Sequence, residues 1–131
     1  MRFRYTIAYV TDVQAELDFF VKAFGLARRF VHEAGDYAEL ETGSCILAFA
    51  SHQLGGSNLP QGYRRADASA QPLGIEVGFV VEDLAAAHAA AIAAGASELR
   101  PPHQTAWGQQ VSWLRSPQGL LIELGTEPAK D

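Results

Sequence analysis

An α+β fold built from two tandem βαβββ modules is predicted by three features of the chain. The first is an internal repeat. Residues 7–26, IAYVTDVQAELDFFVKAFGL, and 78–96, GFVVEDLAAAHAAAIAAGA, are each an apolar run, an acid, a helical stretch and a glycine. Asp12 and Asp83 stand 71 residues apart, Gly25 and Gly95 stand 70 apart. The second feature is that the later strands also correspond, YAELETGSCILAF at 37–49 with VSWLRSPQGLLIEL at 111–124. The third is a stretch between the halves rich in Gly, Ser, Asn and Pro. A repeated supersecondary unit buries its sheet against a copy of itself. Modules of about 1–53 and 73–131, joined by a linker over 54–72, therefore form a single domain.

Each element has a local reason. Residues 3–10 alternate as a strand. Asp12 is a good N-cap, and Val13, Leu17, Phe20, Val21 and Phe24 fall on one helical face that Gly25 terminates. Leu26–His32 and Tyr37–Leu40 read as a hairpin around Glu33-Ala34-Gly35-Asp36, and Cys45–Ala50 as a short apolar strand. The segment 51–72 reads as an irregular connection, long for its kind. Gly74–Val81 is the next strand, and Asp83 caps a helix whose many alanines favour helix yet add little bulk. Ser97–Leu99 starts a strand that Arg100-Pro101-Pro102 is expected to break. The loop HQTAWGQ, the strand Gln110–Leu114, the turn Ser116–Gly119 and the strand Leu120–Leu124 complete the chain.

Composition narrows the function. The 131 residues are 48% hydrophobic and 19% charged, with a net charge of −5. That is a globular mix, and the absence of a basic run excludes ordinary nucleic-acid binding. No apolar run approaches the ~20 residues that span a bilayer. The N-terminus reads as a strand without a small-residue cleavage site, so a cytoplasmic location is expected. Cys45 is the single cysteine and reads as a small buried side chain.

The tandem modules, the Val-x-Asp helix entries and the WGQ…SPQGLLIEL ending resemble the vicinal oxygen chelate superfamily over essentially the whole chain. This is the fold of glyoxalase I, extradiol dioxygenases, fosfomycin-resistance transferases, and the bleomycin- and mitomycin-binding resistance proteins. The resemblance implies a cupped mixed sheet with helices outside. It also implies a homodimer, in some members formed by exchange of half-modules. Enzymes of the superfamily hold a divalent metal through side chains of the first and last strands of each half. Carried over, those positions are Tyr5 and Glu76, each seven residues before its helix-entry acid, together with Glu123 and Ala48. Two carboxylates, a phenol and a methyl group are a weak donor set beside the three or more N, O or S ligands of a catalytic centre. No cofactor is therefore expected; if a divalent metal binds, Glu76, Glu123 and Tyr5 are its ligands.

Glu76 and Glu123 are the sharpest candidates, because a carboxylate in an apolar strand is costly to bury unpaired. They either face a ligand cavity or point to solvent. Trp107 either stacks on a planar ligand or closes the core. Tyr5, Tyr9, Phe49 and Phe79 alternate on cavity-lining strands of the relatives, and some of them must be core. His52 and His103 stand near the cavity mouth, while His32 reads as surface and His88 as structural. The expected function is metal-free sequestration of a planar or amphipathic small molecule by Trp107, Tyr5, Glu76, Glu123, Phe49, His52 and His103, with no catalytic residue. The alternative is a metal-dependent glyoxalase-like lyase, isomerase or dioxygenase.

Overall fold

The two acidic helix entries fold alike. In the computed structural model, which describes residues 1–128, Asp12 Oδ1 accepts the Ala15 N–H at 2.9 Å and Asp83 Oδ1 accepts the Ala86 N–H at 3.0 Å. The end of the second module at 131 lies outside the described residues. Asp12 follows strand β1 (Tyr5–Val10) and opens helix α1 (Val13–Phe24), which stops at Gly25 with φ +68°. Then come β2 (Ala27–Val31), β3 (Tyr37–Glu41), β4 (Ile46–Ser51) and a short helix α2 (His52–Asn58). A 3-10 turn at Ala66–Ala68 precedes β5 (Glu76–Val80), α3 (Leu84–Ala93), β6 (Ser97–Gln104), β7 (Gln110–Arg115) and β8 (Leu121–Gly125). Helix α3 ends through Gly95, with the Ala96 N–H returning to the Ala91 carbonyl at 3.0 Å, a Schellman-type closure.

Each module forms a four-stranded mixed sheet, in the orders β1-β4-β3-β2 and β5-β8-β7-β6. The first and last strands of each module run parallel, Tyr5 beside Ile46 and Glu76 beside Leu121. Helices α1 and α3 pack on each other and on their own sheets, and one hydrophobic core spans both modules. Phe20 is its hub: its ring lies 5.3 Å from Phe49 and 6.1 Å from Phe79, and Phe24 stacks on Phe79 at 5.2 Å. Alanines on α3 keep its backbone close to these neighbours, while α1 supplies the bulk. No helix among the described residues is long and apolar enough to cross a membrane.

Three expectations need correction. Pro101 and Pro102 do not break β6, which continues to Gln104. It is the edge strand, where a missing N–H costs no ladder bond, and its register shifts between Arg100 and His103. The linker is not irregular throughout. The Ser51 hydroxyl caps α2 by accepting the Leu54 N–H at 3.2 Å, and two glycines in that helix disguised it. Gly55 is needed there, because a Cβ would sit 2.2 Å from the Tyr63 hydroxyl. Tyr63 stacks on Tyr9 with centroids 4.9 Å apart, and its hydroxyl is 2.7 Å from His52 Nδ1. The far end of the linker is held by Arg115, whose guanidinium donates to the carbonyls of Ala66, Ser69 and Ala70 at 2.8, 2.8 and 3.1 Å. Finally, Cys45 is only half-buried and precedes β4 rather than lying within it.

Side chains from both modules meet at the β7–β8 turn. The Gln118 side-chain oxygen accepts the Asp12 N–H at 2.9 Å, and the Ser116 hydroxyl donates to Glu16 Oε2 at 2.6 Å. Glu16 is fully buried, and its Oε1 has no hydrogen-bond partner. Burial pushes its carboxyl up to about 7, while the Ser116 hydroxyl and the Gln118 backbone N–H pull the other way.

Candidate functional site

Strand alternation decides which side chains leave the core. On β8, Ile122 and Leu124 are fully buried, so Glu123 between them points to the opposite, outer face. Glu123 pairs across the sheet with Gly78 on one side and Trp113 on the other. Gly78 leaves the space over which the carboxylate lies, since a Cβ there would stand 3.6 Å from Glu123 Oε2. Glu76 shares this face, beside Glu123. Desolvation first, then the hydrogen bond and charge of Glu76, raise the Glu123 carboxyl above the usual carboxylate range. Two contacting carboxyls are stable together when one keeps its proton.

Aromatic and cationic groups border the pair. The Trp113 indole N–H donates to Glu76 Oε1 at 3.4 Å. His103 stacks on Trp113 with centroids 5.8 Å apart, and the Arg100 guanidinium lies 5.8 Å from the Trp113 ring centre. His103 Nδ1 bonds the Pro101 carbonyl at 2.9 Å, which makes that nitrogen the donor. A groove of about 310 Å³ runs from Glu76 and Ile75 across the seam to Thr42, Cys45 and Ile46 of the first module.

The outer face of the first sheet is built differently. Tyr5 is 47% exposed on β1. Ala48 pairs with Ile7 and with Glu39. Glu39 accepts the Tyr37 hydroxyl at 2.8 Å and lies 3.3 Å from Arg29 Nε. Burial, reinforced by Glu39, pushes the Tyr37 phenol up, so it stays a neutral donor.

Glu76, Glu123 and His103 are thus gathered around Trp113, whereas Tyr5 belongs to the other sheet. Trp107 stands on the β6–β7 turn, 67% exposed, its indole N–H donating to Gln109 Oε1 at 3.0 Å. It is not core and lines none of the grooves described. Phe49 is no ligand wall: it is fully buried against Phe20, because Ala48 takes the outward position beside it. Phe79 is turned inward in the same way. His52 does not reach the carboxylates. It is held under Tyr63, its Nε2 buried without a hydrogen bond and 3.7 Å from Asp67 Oδ1. His88 is buried between Ser112 and Glu98, each at 2.8 Å, a structural role.

The residues missed from sequence are Trp113 and Glu39. The signal for Trp113 was its register: it alternates with the inward-facing Ser112 and Leu114 and stands directly beside Glu123.

The donor set does not fit a divalent metal. Ala48 offers none, Tyr5 is on the other sheet, and two carboxylates fall short of the three or more ligands of a catalytic centre. Among the described residues no three His, Cys, Asp or Glu side chains converge to hold an ion.

Residues 2–124 match the model of the Glyoxalase/Bleomycin resistance protein/Dioxygenase superfamily, and the chain belongs to that family. A glyoxalase-related enzyme from Fulvimarina pelagi superposes with TM-score 0.81 at 18% identity, covering 97% of this chain and 88% of that one. A protein of unknown function from Agrobacterium tumefaciens str. C58 gives TM-score 0.76 at 26% identity over 97% and 94% of the two chains. TioX from Micromonospora sp. ML1 gives 0.70 at 21% over 96% and 98%. Comparison with curated proteins yields no match.

Proposed function

We propose that the chain sequesters a planar or amphipathic small molecule, without a metal, on the outer face of its second sheet. The observation that carries this reading is the contact of Glu76 with Glu123 beside the Trp113 ring. A cationic group entering beside the carboxylates displaces the proton that the raised Glu123 carboxyl favours, and an attached flat ring stacks on the indole, where cation and aromatic contacts are each worth roughly 0.5–2 kcal/mol. The adjoining groove receives the apolar remainder. Family membership supports this reading to the extent that the superfamily includes resistance proteins that bind drugs, although its members also include enzymes.

The partner is a second copy of the chain. Tyr5, Ile7, Ile75 and Val80 are large apolar side chains left exposed on or near the outer faces, Ile75 at 79%. A second copy would cover part of that surface and wall the binding face.

The test uses a planar aromatic cation and its neutral isostere, with tryptophan fluorescence as the readout. The cation is expected to bind equally well in the presence and absence of a chelator, and Glu76→Gln and Glu123→Gln are each expected to weaken it. Equal binding of the neutral isostere, or loss of binding on chelation, would refute the reading. The latter result would favour the metal-dependent lyase, isomerase or dioxygenase alternative.

A further inference from the structure

We infer that the cavity beneath the linker is a second binding site, which takes a small apolar molecule carrying a carboxylate or similar anionic group. This cavity of about 220 Å³ is walled by Ile7 and Tyr9 of β1, by Ile75 and Val77, and by Leu73 and Leu121, with Arg64 on its rim. The cavity adjoins the groove beside the carboxylate pair, sharing Thr6, Leu47, Ile75 and Val77 with it, but its own walls are apolar and its charged group is a guanidinium.

The size sets the ligand. Water occupies roughly 30 Å³ per molecule, so the space holds on the order of seven waters, or an organic molecule of about ten non-hydrogen atoms. That is below the roughly 300 Å³ at which drug-sized pockets begin.

The chemistry sets its charge. Tyr63 contributes ring surface, its hydroxyl engaged with His52 at 2.7 Å, whereas the Tyr9 hydroxyl accepts from Asn58 Nδ2 at 3.2 Å and keeps its own proton to donate. Apart from the Thr6 and Tyr9 hydroxyls, the polar group left to meet a ligand is the Arg64 guanidinium. Neither Arg64 nor its neighbour Arg65 forms a side-chain hydrogen bond or ion pair among the described residues. The nearby acid in sequence, Asp67, already accepts the Thr11 hydroxyl. The unpaired Arg64 guanidinium at the edge of an apolar cavity, in a chain whose net charge is −5, makes a local positive spot that a carboxylate complements bidentately. Both ends of the covering linker are anchored, by Tyr63 and by Arg115, so the walls are preformed.

The probes are 3-phenylpropionate and two isosteres, 3-phenylpropanamide and 3-phenylpropylamine. Binding is followed by methyl chemical shifts of the full chain. The acid is expected to bind with a dissociation constant of roughly 0.1–10 mM, the scale for a ligand of about ten atoms. It should shift the methyls of Ile7, Leu73 and Leu121, which the groove beside the carboxylates does not share, and bind at least about fivefold tighter than the amide. Arg64→Gln, an exposed change that leaves the fold intact by its unchanged spectrum, should erase that preference. Leu73→Trp, which fills the cavity from the linker side, should abolish the shifts. Equal binding of acid and amide, an unaltered preference in Arg64→Gln, shifts confined to other methyls, or no binding of the acid would each overturn the inference. Binding of the amine near Trp113 reports on the carboxylate pair alone, so the two sites fail or stand separately.

Discussion

Replacing Glu16 by glutamine should abolish most of the loss of stability between pH 4.5 and 8. The Glu16 carboxyl is fully buried and raised from 4.5 to about 7. Desolvation is the main cause, and the Ser116 hydroxyl only partly offsets it. The sign follows from linkage. A carboxyl that holds its proton more tightly when folded leaves stability intact below pH 4.5. The loss grows as pH rises through 4.5 toward 7 and levels off above it. A shift of this size corresponds to about 3 kcal/mol at 1.36 kcal/mol per pH unit. For a domain of this length that is on the order of 10 °C in melting temperature. The Glu16→Gln side chain can still accept from Ser116 but cannot ionise. Thermal melts at pH 4, 6 and 8 should therefore converge for the variant and diverge for the parent. The variant should be the more stable protein at pH 8 and no better at pH 4. Parallel curves for the two proteins would show that Glu16 ionises freely in the fold and would refute the reasoning.

Other substitutions have clear expected outcomes. Asp83→Ala removes the N-cap of α3 and should cost about 0.5–2 kcal/mol in chemical denaturation, with ligand affinity unchanged. A loss of binding without a loss of stability would assign Asp83 to the site instead. Gly55→Ala drives a methyl into the Tyr63 hydroxyl and should destabilise the chain by about 1–3 kcal/mol. Tyr63→Phe, which only forfeits the bond to His52, should cost about 1 kcal/mol. If Gly55→Ala proved neutral, the linker would not be held as described. Trp107→Ala should change stability by less than about 0.5 kcal/mol, as expected for a surface side chain, whereas a loss of several kcal/mol would restore it to the core.

Much of the fold was written locally. Asp12, Gly25, Asp83 and Gly95 mark helix ends through bonds made within a few residues, and periodicity displays the α1 face directly. The failures share a cause, which is long-range context. Pro101 and Pro102 break a strand unless it lies at a sheet edge, and edge position depends on the pairing of the other strands. His52–Asn58 contains glycines that argue against helix, and Tyr63, the residue that makes one of them necessary, touches it only once the irregular stretch after the helix folds back. Glu16 did leave a signal, three residues after Val13 and four before Phe20 and so inside the apolar stripe. Its partner Ser116 lies in the other module. In the site, Glu76 and Glu123 were legible as charges in apolar strands. Trp113 was passed over for Trp107 because only the β7–β8 register shows which indole stands beside Glu123. Phe49 failed by one step of alternation, which exchanges core for surface.

The most direct test of metal-free recognition by the carboxylate pair is calorimetry of a planar aromatic cation binding in two buffers of different ionisation enthalpy. Near and just above the ordinary carboxylate range, where the raised Glu123 still holds its proton, cation binding should release a fraction of a proton per chain. The release should fade as pH rises, vanish in Glu123→Gln, and be indifferent to chelator. Binding that releases no proton at any pH, or that requires an added divalent ion, would contradict the account.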